Sequence, residues 1–491
     1  MFKTLIAKPA APTRVQGLLF GTAGARGPYP ARINPKLIYD IALTASHVVA
    51  KNSGSAVVGH DPRTTSPLLS LSAAAGFMAG GLDVIMIGEA PLPVVAYEVK
   101  RSRSSLGAAI SASHNPPTDN GIKLFKAGGF ELYRSEEEAI ERSIGSCSEV
   151  EWSKVGSYVL EPSALEAYIN DAALRVDPSE WRRGDPPRLV VDCANGAASI
   201  VTPKLLRKAG LGNVVTVNCN LDGMFPGRLP EPRPDVLQSL TPVLDATNAE
   251  AMMAHDGDAD RLALVVRGLG FIKQDLVIAL LAERALRDHK GTVIVSVDVG
   301  YEVEEVVEKN GGRLVRAPLG RLHEYLSSNP DALMAAEPWK YIEPRWGPWP
   351  DGIYQALVVT DEVMVRGQKF SEVFMKMPSY PSMRLSFVVP GPEERGRLFK
   401  GMLADLEGVL RPAKVVSRLD IDGLRLQADD GSWVLLRQSG TEYKVRVYGQ
   451  ALTPARLVEL LKGVKDLASK VASSVNVKIV GLEEAYDLAS R

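Results

Sequence analysis

The stretch GAAISASHNPPTDNGIKLFK, Gly107 to Lys126, decides how the rest of the chain is read. Gly107, Ala108, Ala109 and Ile110 are small or apolar and suit a buried strand. The run then breaks into a loop holding Ser113, His114, Asn115, two prolines and an Asn120-Gly121 turn, and closes on an apolar segment carrying Lys123. A hydroxyl at the C-terminal edge of a strand, in a proline-stiffened loop, is well placed to be a nucleophile. The same composition suits a polar loop with a capping serine. These residues alone leave both readings open.

A second chemistry-bearing stretch is AMMAHDGDADRLALVV, Ala251 to Val266. Asp256, Asp258 and Asp260 alternate, so in extended backbone they would project to one face. Three converging carboxylates repel one another unless a cation joins them, and oxygen-only ligands select Mg²⁺, Mn²⁺ or Ca²⁺. An EF-hand is excluded: Arg261 holds the sixth position, where that loop needs glycine, and Arg267 the twelfth, where it needs an acid. A third is LLRQSGTEYKVRVYGQA, Leu435 to Ala451, which combines Arg437, Ser439, Gly440, Thr441 and Arg446. Small hydroxyl residues, glycine and two arginines are a composition that wraps a phosphate.

Around these stretches helical and strand-like segments alternate. Helices are predicted over 35–51, 68–80, 91–100, 135–143, 164–175, 201–209, 276–287, 301–310, 392–409 and 453–474. Strands are predicted over 56–59, 82–87, 130–133, 292–297, 313–315 and 384–389, and in the apolar run before Asp192. This alternation argues for mixed α/β sheets covered on both faces. Boundaries are placed at 1–152, 153–262 and 263–375, with a Pro/Ser-rich linker at 376–383 before a last unit at 384–491. Asp61, Arg63 and Ser66 suit either support for the serine loop or a plain surface turn.

The chain has 491 residues, so about 150 residues per domain gives three or four domains. A formal net charge of −1 gives no electrostatic case for nucleic acid or an anionic membrane as partner. Cys147, Cys193 and Cys219 make neither a disulfide framework nor a zinc pattern and fit a reducing compartment. The opening MFKTLIAKPAAPTRV does not read as a signal peptide, and no apolar run approaches the ~18 residues needed to span a bilayer. A cytoplasmic protein is expected.

SASHNP followed by NGIK resembles the phosphoserine loop of the α-D-phosphohexomutase superfamily, the phosphoglucomutases, phosphomannomutases and phosphoglucosamine mutases. QGLLFGTAGARG, Gln16 to Gly27, resembles its FGTxGxRG segment, DGDADR its metal loop, and RQSGTEYKVRVYGQA its phosphate-binding loop, with Gln450 in place of the usual Glu. NLDGMFPGRLPEPRPDVL resembles a further segment, with Glu231 where Asn is usual. The resemblance spans nearly the whole chain. It implies three similar α/β sandwich domains and a smaller C-terminal α+β domain around a central cleft.

The resemblance also implies chemistry. Ser113 would carry the phosphoryl group, with Arg26, His114 and Lys123 in the catalytic centre. Lys123 is the candidate proton shuttle, since burial near cations would lower its pKa. Mg²⁺ would be held by Ser113, Asp256, Asp258 and Asp260. Substrate contacts would come from Arg261, Gly320, Arg321, Glu337, Trp339, Lys340, Arg437, Ser439, Gly440, Thr441 and Arg446. The segment MAAEPWKYIEP stands at the sugar-recognition motif, where Glu337 matches while Ala336, Trp339, Lys340 and Tyr341 depart. Tyr341 occupies the place of a histidine. Trp339 suits stacking on a sugar and equally a core position.

The implied activity is interconversion of hexose 1-phosphate and hexose 6-phosphate, glucose or mannose, with a hexose 1,6-bisphosphate as intermediate and activator. Phosphoglucosamine mutase and a non-catalytic sugar-phosphate-binding paralogue are the alternatives. The partners are small-molecule sugar phosphates; the sequence leaves homo-oligomer formation open.

Overall fold

The computed structural model describes residues 19–21, 24–211, 213–440 and 442–487. Thr441, and the part of the Gln16 to Gly27 segment formed by residues 16–18, 22 and 23, lie outside the described residues. Among the described residues four sheets form, each in its own stretch of chain. The first runs in the order Ala25–Pro28, Asp119–Lys126, Leu106–Ile110, Ser55–His60, Asp83–Glu89, Tyr158–Leu160. The second runs Gly270–Phe271, Leu262–Val266, Ala251–His255, Leu189–Asp192, Val214–Val217. The third runs Arg313–Ala317, Thr292–Ser296, Ala332–Glu337, Lys340–Ile342. The fourth is antiparallel, from Val415–Leu419 at one edge to Gly481–Asp487 at the other.

The first sheet thus reaches Leu160 and the second Phe271, so both run past the expected boundaries at 152 and 262. The expected linker is shorter too, because Ser382–Val388 already pairs in the fourth sheet.

The first three sheets share a plan. Parallel strands form the middle, and one of them turns back into an antiparallel neighbour: Leu106–Ile110 into Asp119–Lys126, Ala251–His255 into Leu262–Val266, Ala332–Glu337 into Lys340–Ile342. The connecting hairpins are the serine loop, the three-aspartate loop and the Pro338-Trp339 turn. Three equivalent turns of one repeated plan therefore supply three of the four chemistry-bearing stretches. Leu106–Ile110, Ala251–His255 and Thr292–Ser296 are buried along their whole length, which is why they read as unbroken apolar or small runs.

Local signals set the helix ends. The Asn34 side chain accepts the Leu37 N–H at 3.0 Å ahead of Pro35–Val48, and Asp351 accepts the Tyr354 N–H at 2.8 Å ahead of Gly352–Arg366.

One expectation is overturned outright. Cys193 and Cys219 form a disulfide, with 5.0 Å between their Cα atoms. They follow the neighbouring parallel strands Leu189–Asp192 and Val214–Val217, so sheet pairing, invisible in their spacing, brings them together. No helix among the described residues is long and apolar enough to cross a membrane.

Candidate active site

Ser113 has no exposed surface and sits at φ 53°, a left-handed conformation uncommon outside glycine. The Arg63 guanidinium holds the loop in that shape. It donates to the carbonyls of Ser113 at 2.8 Å, Asn115 at 2.7 Å and Asp119 at 3.0 Å, while its Nε donates to Asp61 Oδ2 at 3.0 Å. Asp61 also accepts from the hydroxyls of Ser66 at 2.6 Å and Ser111 at 2.7 Å. Of the two readings of Asp61, Arg63 and Ser66, the structure therefore has loop support; all three are buried.

The Ser113 hydroxyl donates to Asp256 Oδ2 at 2.6 Å, and His114 Nδ1 lies 3.3 Å from it. The two loops touch closely: a Cβ on Gly257 would lie 2.5 Å from the Ser113 carbonyl oxygen, which explains the glycine there. Asp256, Asp258 and Asp260 are buried, with one ligand atom from each lying within 4.8 Å of the others. They meet across a tight turn in which Ala259 is left-handed at φ 61°, so the expected extended alternation is not how they converge.

Both Asp258 carboxylate oxygens and Asp260 Oδ1 are buried without a hydrogen-bond partner. Orphaned carboxylate oxygens in an all-oxygen set fit a hard divalent cation. Burial, with Asp258 and Asp260 beside it, pushes the Asp256 carboxyl well above its ordinary range. Burial acts the same way on Asp260, but Lys123, Lys340 and Arg261 outweigh it and hold that carboxyl well below.

Lys123 donates to Asp260 Oδ2 at 2.6 Å and lies 3.4 Å from Asp258. Its neighbours are thus carboxylates, not the cations assumed from sequence. Arg261 Nε stands 3.7 Å from Asp256 and 3.8 Å from Asp260, with no hydrogen-bond partner. Arg26 Nε is likewise buried and unpartnered, and its guanidinium feels all three aspartates. Burial, then the charges of Arg261 and Arg26, keep His114 well below the ordinary histidine range.

The third hairpin delivers Glu337 and Lys340 as register partners, hence on one face. Glu337 Oε2 accepts the Gly320 N–H at 2.6 Å, and Lys340 Nζ lies 3.6 Å from Glu337 Oε1 and 3.5 Å from Asp260 Oδ2. Tyr341 pairs with Ala336 on the other face, is buried, and donates to Glu343 at 2.8 Å. It points away from the centre. Trp339, left-handed at φ 70°, packs against the second-sheet core with Arg261 over its ring at 5.9 Å. Arg321 is committed to Glu137 at 2.9 Å and Glu324 at 3.3 Å, across to the first domain.

In the last domain Arg437 pairs with Asp422 at 2.9 Å and Arg446 with Glu442 at 2.5 Å, each with an unpartnered Nε. Ser439 is buried and Gly440 exposed. Asp422 also accepts the Leu319 N–H at 3.2 Å, one residue before Gly320. A polar chain therefore runs from Arg437 through Asp422, Leu319-Gly320, Glu337 and Lys340 to Asp260. It joins the Leu435 to Ala451 stretch to the other three.

Residues 17–151, 166–270 and 391–467 match family models described as phosphoglucomutase/phosphomannomutase alpha/beta/alpha domain I, alpha/beta/alpha domain II and C-terminal domain. A phosphopentomutase of Thermococcus kodakarensis is 35% identical over 463 residues, covering 94% of this chain and 100% of that one. The chain belongs to the α-D-phosphohexomutase superfamily.

A probable phosphoglucosamine mutase of Methanopyrus kandleri is 34% identical, with 94% and 99% of the two chains covered. Among solved structures, a phosphoglucomutase/phosphomannomutase family protein of Burkholderia thailandensis superposes with a TM-score of 0.81 at 24% identity, covering 94% and 98% of the two chains. The protein is an isomerase of this phosphomutase family with the family's multi-domain α/β fold.

Three supports of the superfamily loops escaped the sequence reading. Arg228 donates to the His255 carbonyl at 2.6 Å and fixes the start of the aspartate turn. Arg395 donates to the Ser439 carbonyl at 2.6 Å, and Asp422 orients Arg437. Each lies far in sequence from the loop it serves, and only Arg228 stood in a stretch with a recognisable pattern.

Proposed function

We propose that this protein moves a phosphoryl group reversibly between two oxygens of a sugar phosphate, through phosphorylated Ser113. The observation that carries the reading is the Ser113 Oγ contact with Asp256 Oδ2 at 2.6 Å, inside a buried ring of three aspartates and four basic side chains. Phospho-Ser113 gives its phosphoryl group to the free sugar hydroxyl: the serine P–O bond breaks, a sugar P–O bond forms, and the sugar hydroxyl's proton passes to the freed Ser113 oxygen. The bisphosphorylated sugar turns in the cleft, and its other phosphate returns to Ser113. On that return the Ser113 hydroxyl proton already faces Asp256 Oδ2.

Arg26 and Arg261 carry unpartnered donors toward this centre and stabilise the charge on the transferring group. Asp256, Asp258, Asp260 and an oxygen on Ser113 would hold Mg²⁺, which would supply further neutralisation of that charge. Arg437, Ser439, Gly440 and Arg446, with Thr441, grip the phosphate that does not react. Gly320, Glu337 and Lys340 meet the sugar; Trp339 forms the turn of that hairpin, and Arg321 ties the neighbouring segment to Glu137. Lys123 and His114 are the remaining candidates for proton transfer.

The substrates proposed are hexose 1- and 6-phosphates of glucose or mannose, with the hexose 1,6-bisphosphate as activator. The similarity to the Thermococcus kodakarensis phosphopentomutase along 94% of this chain favours a second reading, a pentose phosphate. Coupled assays with Mg²⁺ and a bisphosphate primer across glucose, mannose, ribose and glucosamine phosphates test both. Isomerisation of none of them overturns the proposal, and full activity in Ser113→Ala overturns the role of the serine.

A further inference from the structure

We infer that Lys340 is a charge filter in the sugar subsite, admitting neutral sugar phosphates and rejecting those that carry an ammonium on the ring. The inference rests on the proposed reading of the Glu337 hairpin as sugar-facing.

A carboxylate at a sugar subsite receives hydroxyls and ammonium groups alike, and favours the ammonium by charge. Glu337 unaccompanied would therefore suit an amino sugar. Here it is not unaccompanied. Lys340 is its register partner across the hairpin, so the two side chains leave the same face, and Nζ sits 3.6 Å from Glu337 Oε1. Gly320 N–H takes the other oxygen at 2.6 Å. Each oxygen keeps lone-pair capacity for a neutral hydroxyl, but the carboxylate's charge is already answered.

Lys340 cannot swing aside without loss. It is buried, and Asp260 holds it from the opposite side at 3.5 Å. Both distances exceed the usual 2.7–3.2 Å of a strong N–H···O bond, which leaves the ammonium donors loosely engaged and able to reach a sugar oxygen. A ring ammonium brought to Glu337 would thus meet a fixed cation of like charge, while Lys123 and Arg261 already answer the Asp260 carboxylate behind it. At a separation of a few ångströms in partly buried surroundings, that repulsion discriminates by at least about tenfold. The neighbouring Tyr341 takes no part, since it faces the opposite side of the hairpin.

The test is equilibrium binding to the full-length protein by calorimetry, using glucose 6-phosphate, 2-deoxyglucose 6-phosphate and glucosamine 6-phosphate. The 2-deoxy sugar is neutral and lacks the 2-hydroxyl, so it separates charge from a lost hydrogen bond. Wild type should bind glucosamine 6-phosphate at least about tenfold more weakly than either neutral sugar. Lys340→Gln should narrow that ratio severalfold, while Lys340→Arg, which keeps the charge, should preserve it.

Equal binding of glucosamine and glucose phosphates by wild type overturns the inference. So does a ratio unchanged in Lys340→Gln, or absence of binding by all three ligands. Melting curves of both variants check folding, and a collapse of Lys340→Gln leaves the wild-type ratio and Lys340→Arg to decide. Preserved binding selectivity with no phosphoryl transfer would overturn the proposed function and leave the filter standing.

Discussion

The hydroxyl of Ser113 donates a hydrogen bond to Asp256 Oδ2 across 143 residues of sequence. Two hairpin turns of the same repeated plan, one from each of two sheets, meet at this contact. The serine backbone is held left-handed by the Arg63 clamp, and the aspartate turn bends left-handed at Ala259.

The aspartate ring predicts a stabilising metal. Buried carboxylates without partners repel, and a cation that binds only the folded state raises its stability, by about 2.7 kcal/mol at a hundredfold excess over Kd. Thermal melts should show Tm rising with Mg²⁺ and falling back with a chelator. Asp258→Asn should lose most of this rise. A variant with an unaltered Mg²⁺ response would remove Asp258 from the metal set.

Asp351 ties the second domain to the third. It accepts from the Tyr168 hydroxyl at 2.8 Å, Trp346 Nε1 at 2.9 Å, Trp349 Nε1 at 3.2 Å and the Tyr354 N–H. The next residue, Gly352, donates its N–H to the carbonyl of Ala259 in the aspartate turn at 3.1 Å. Asp351→Ala strands four buried donors and should cost roughly 3–5 kcal/mol. Chemical denaturation measures it; a loss below about 1 kcal/mol would mean the cluster is held by packing alone.

Gln450 latches the last domain to the third. Its Oε1 accepts the Tyr301 N–H at 2.8 Å and Trp433 Nε1 at 3.1 Å, while Nε2 donates to Glu302 at 2.8 Å. The superfamily glutamate at this position would oppose Glu302 carboxylate to carboxylate. Gln450→Glu should destabilise the latch by roughly 1–3 kcal/mol and speed proteolysis in the 376–381 connection. Wild-type protease resistance would argue against the latch.

His323 sets an acid limit. Burial lowers its pKa despite Glu131 and Glu324, and Nε2 faces the Leu132 carbonyl at 3.3 Å. The unfolded chain therefore takes up a proton below the ordinary value of 6.5 that the native protein does not. Stability from this group is complete above that value and declines as pH falls through it. Urea unfolding should give a steeper decline between about pH 7 and about pH 5.5 in wild type than in His323→Gln. Parallel curves would contradict the assignment.

Much of this was legible in the sequence because the loops carry dense local patterns. The aspartates and the Arg437 to Arg446 segment stood out by type and spacing, while Ser113 needed the family resemblance to choose between a nucleophile and a capping serine. Their supports did not stand out, since Arg395 and Asp422 reach Ser439 and Arg437 only through tertiary packing. The aspartate turn was misread as extended because a left-handed Ala259 has no signature in alanine. Tyr341 and Lys340 show a finer point: both stood out as departures from the motif, Lys340 was expected at the substrate, and the hairpin register turns Lys340 to the centre and Tyr341 away from it. The Cys193–Cys219 pairing depended on strand order, which their separation of 26 residues does not reveal.

The central claim is that Ser113 carries the phosphoryl group. Incubation of the protein with a hexose 1,6-bisphosphate and Mg²⁺, followed by peptide mass spectrometry, tests it directly. The account predicts one added phosphoryl group, on Ser113, that is lost again on incubation with a sugar monophosphate. A phosphate on any other residue, or turnover of sugar phosphates with Ser113 unmodified throughout, would contradict it.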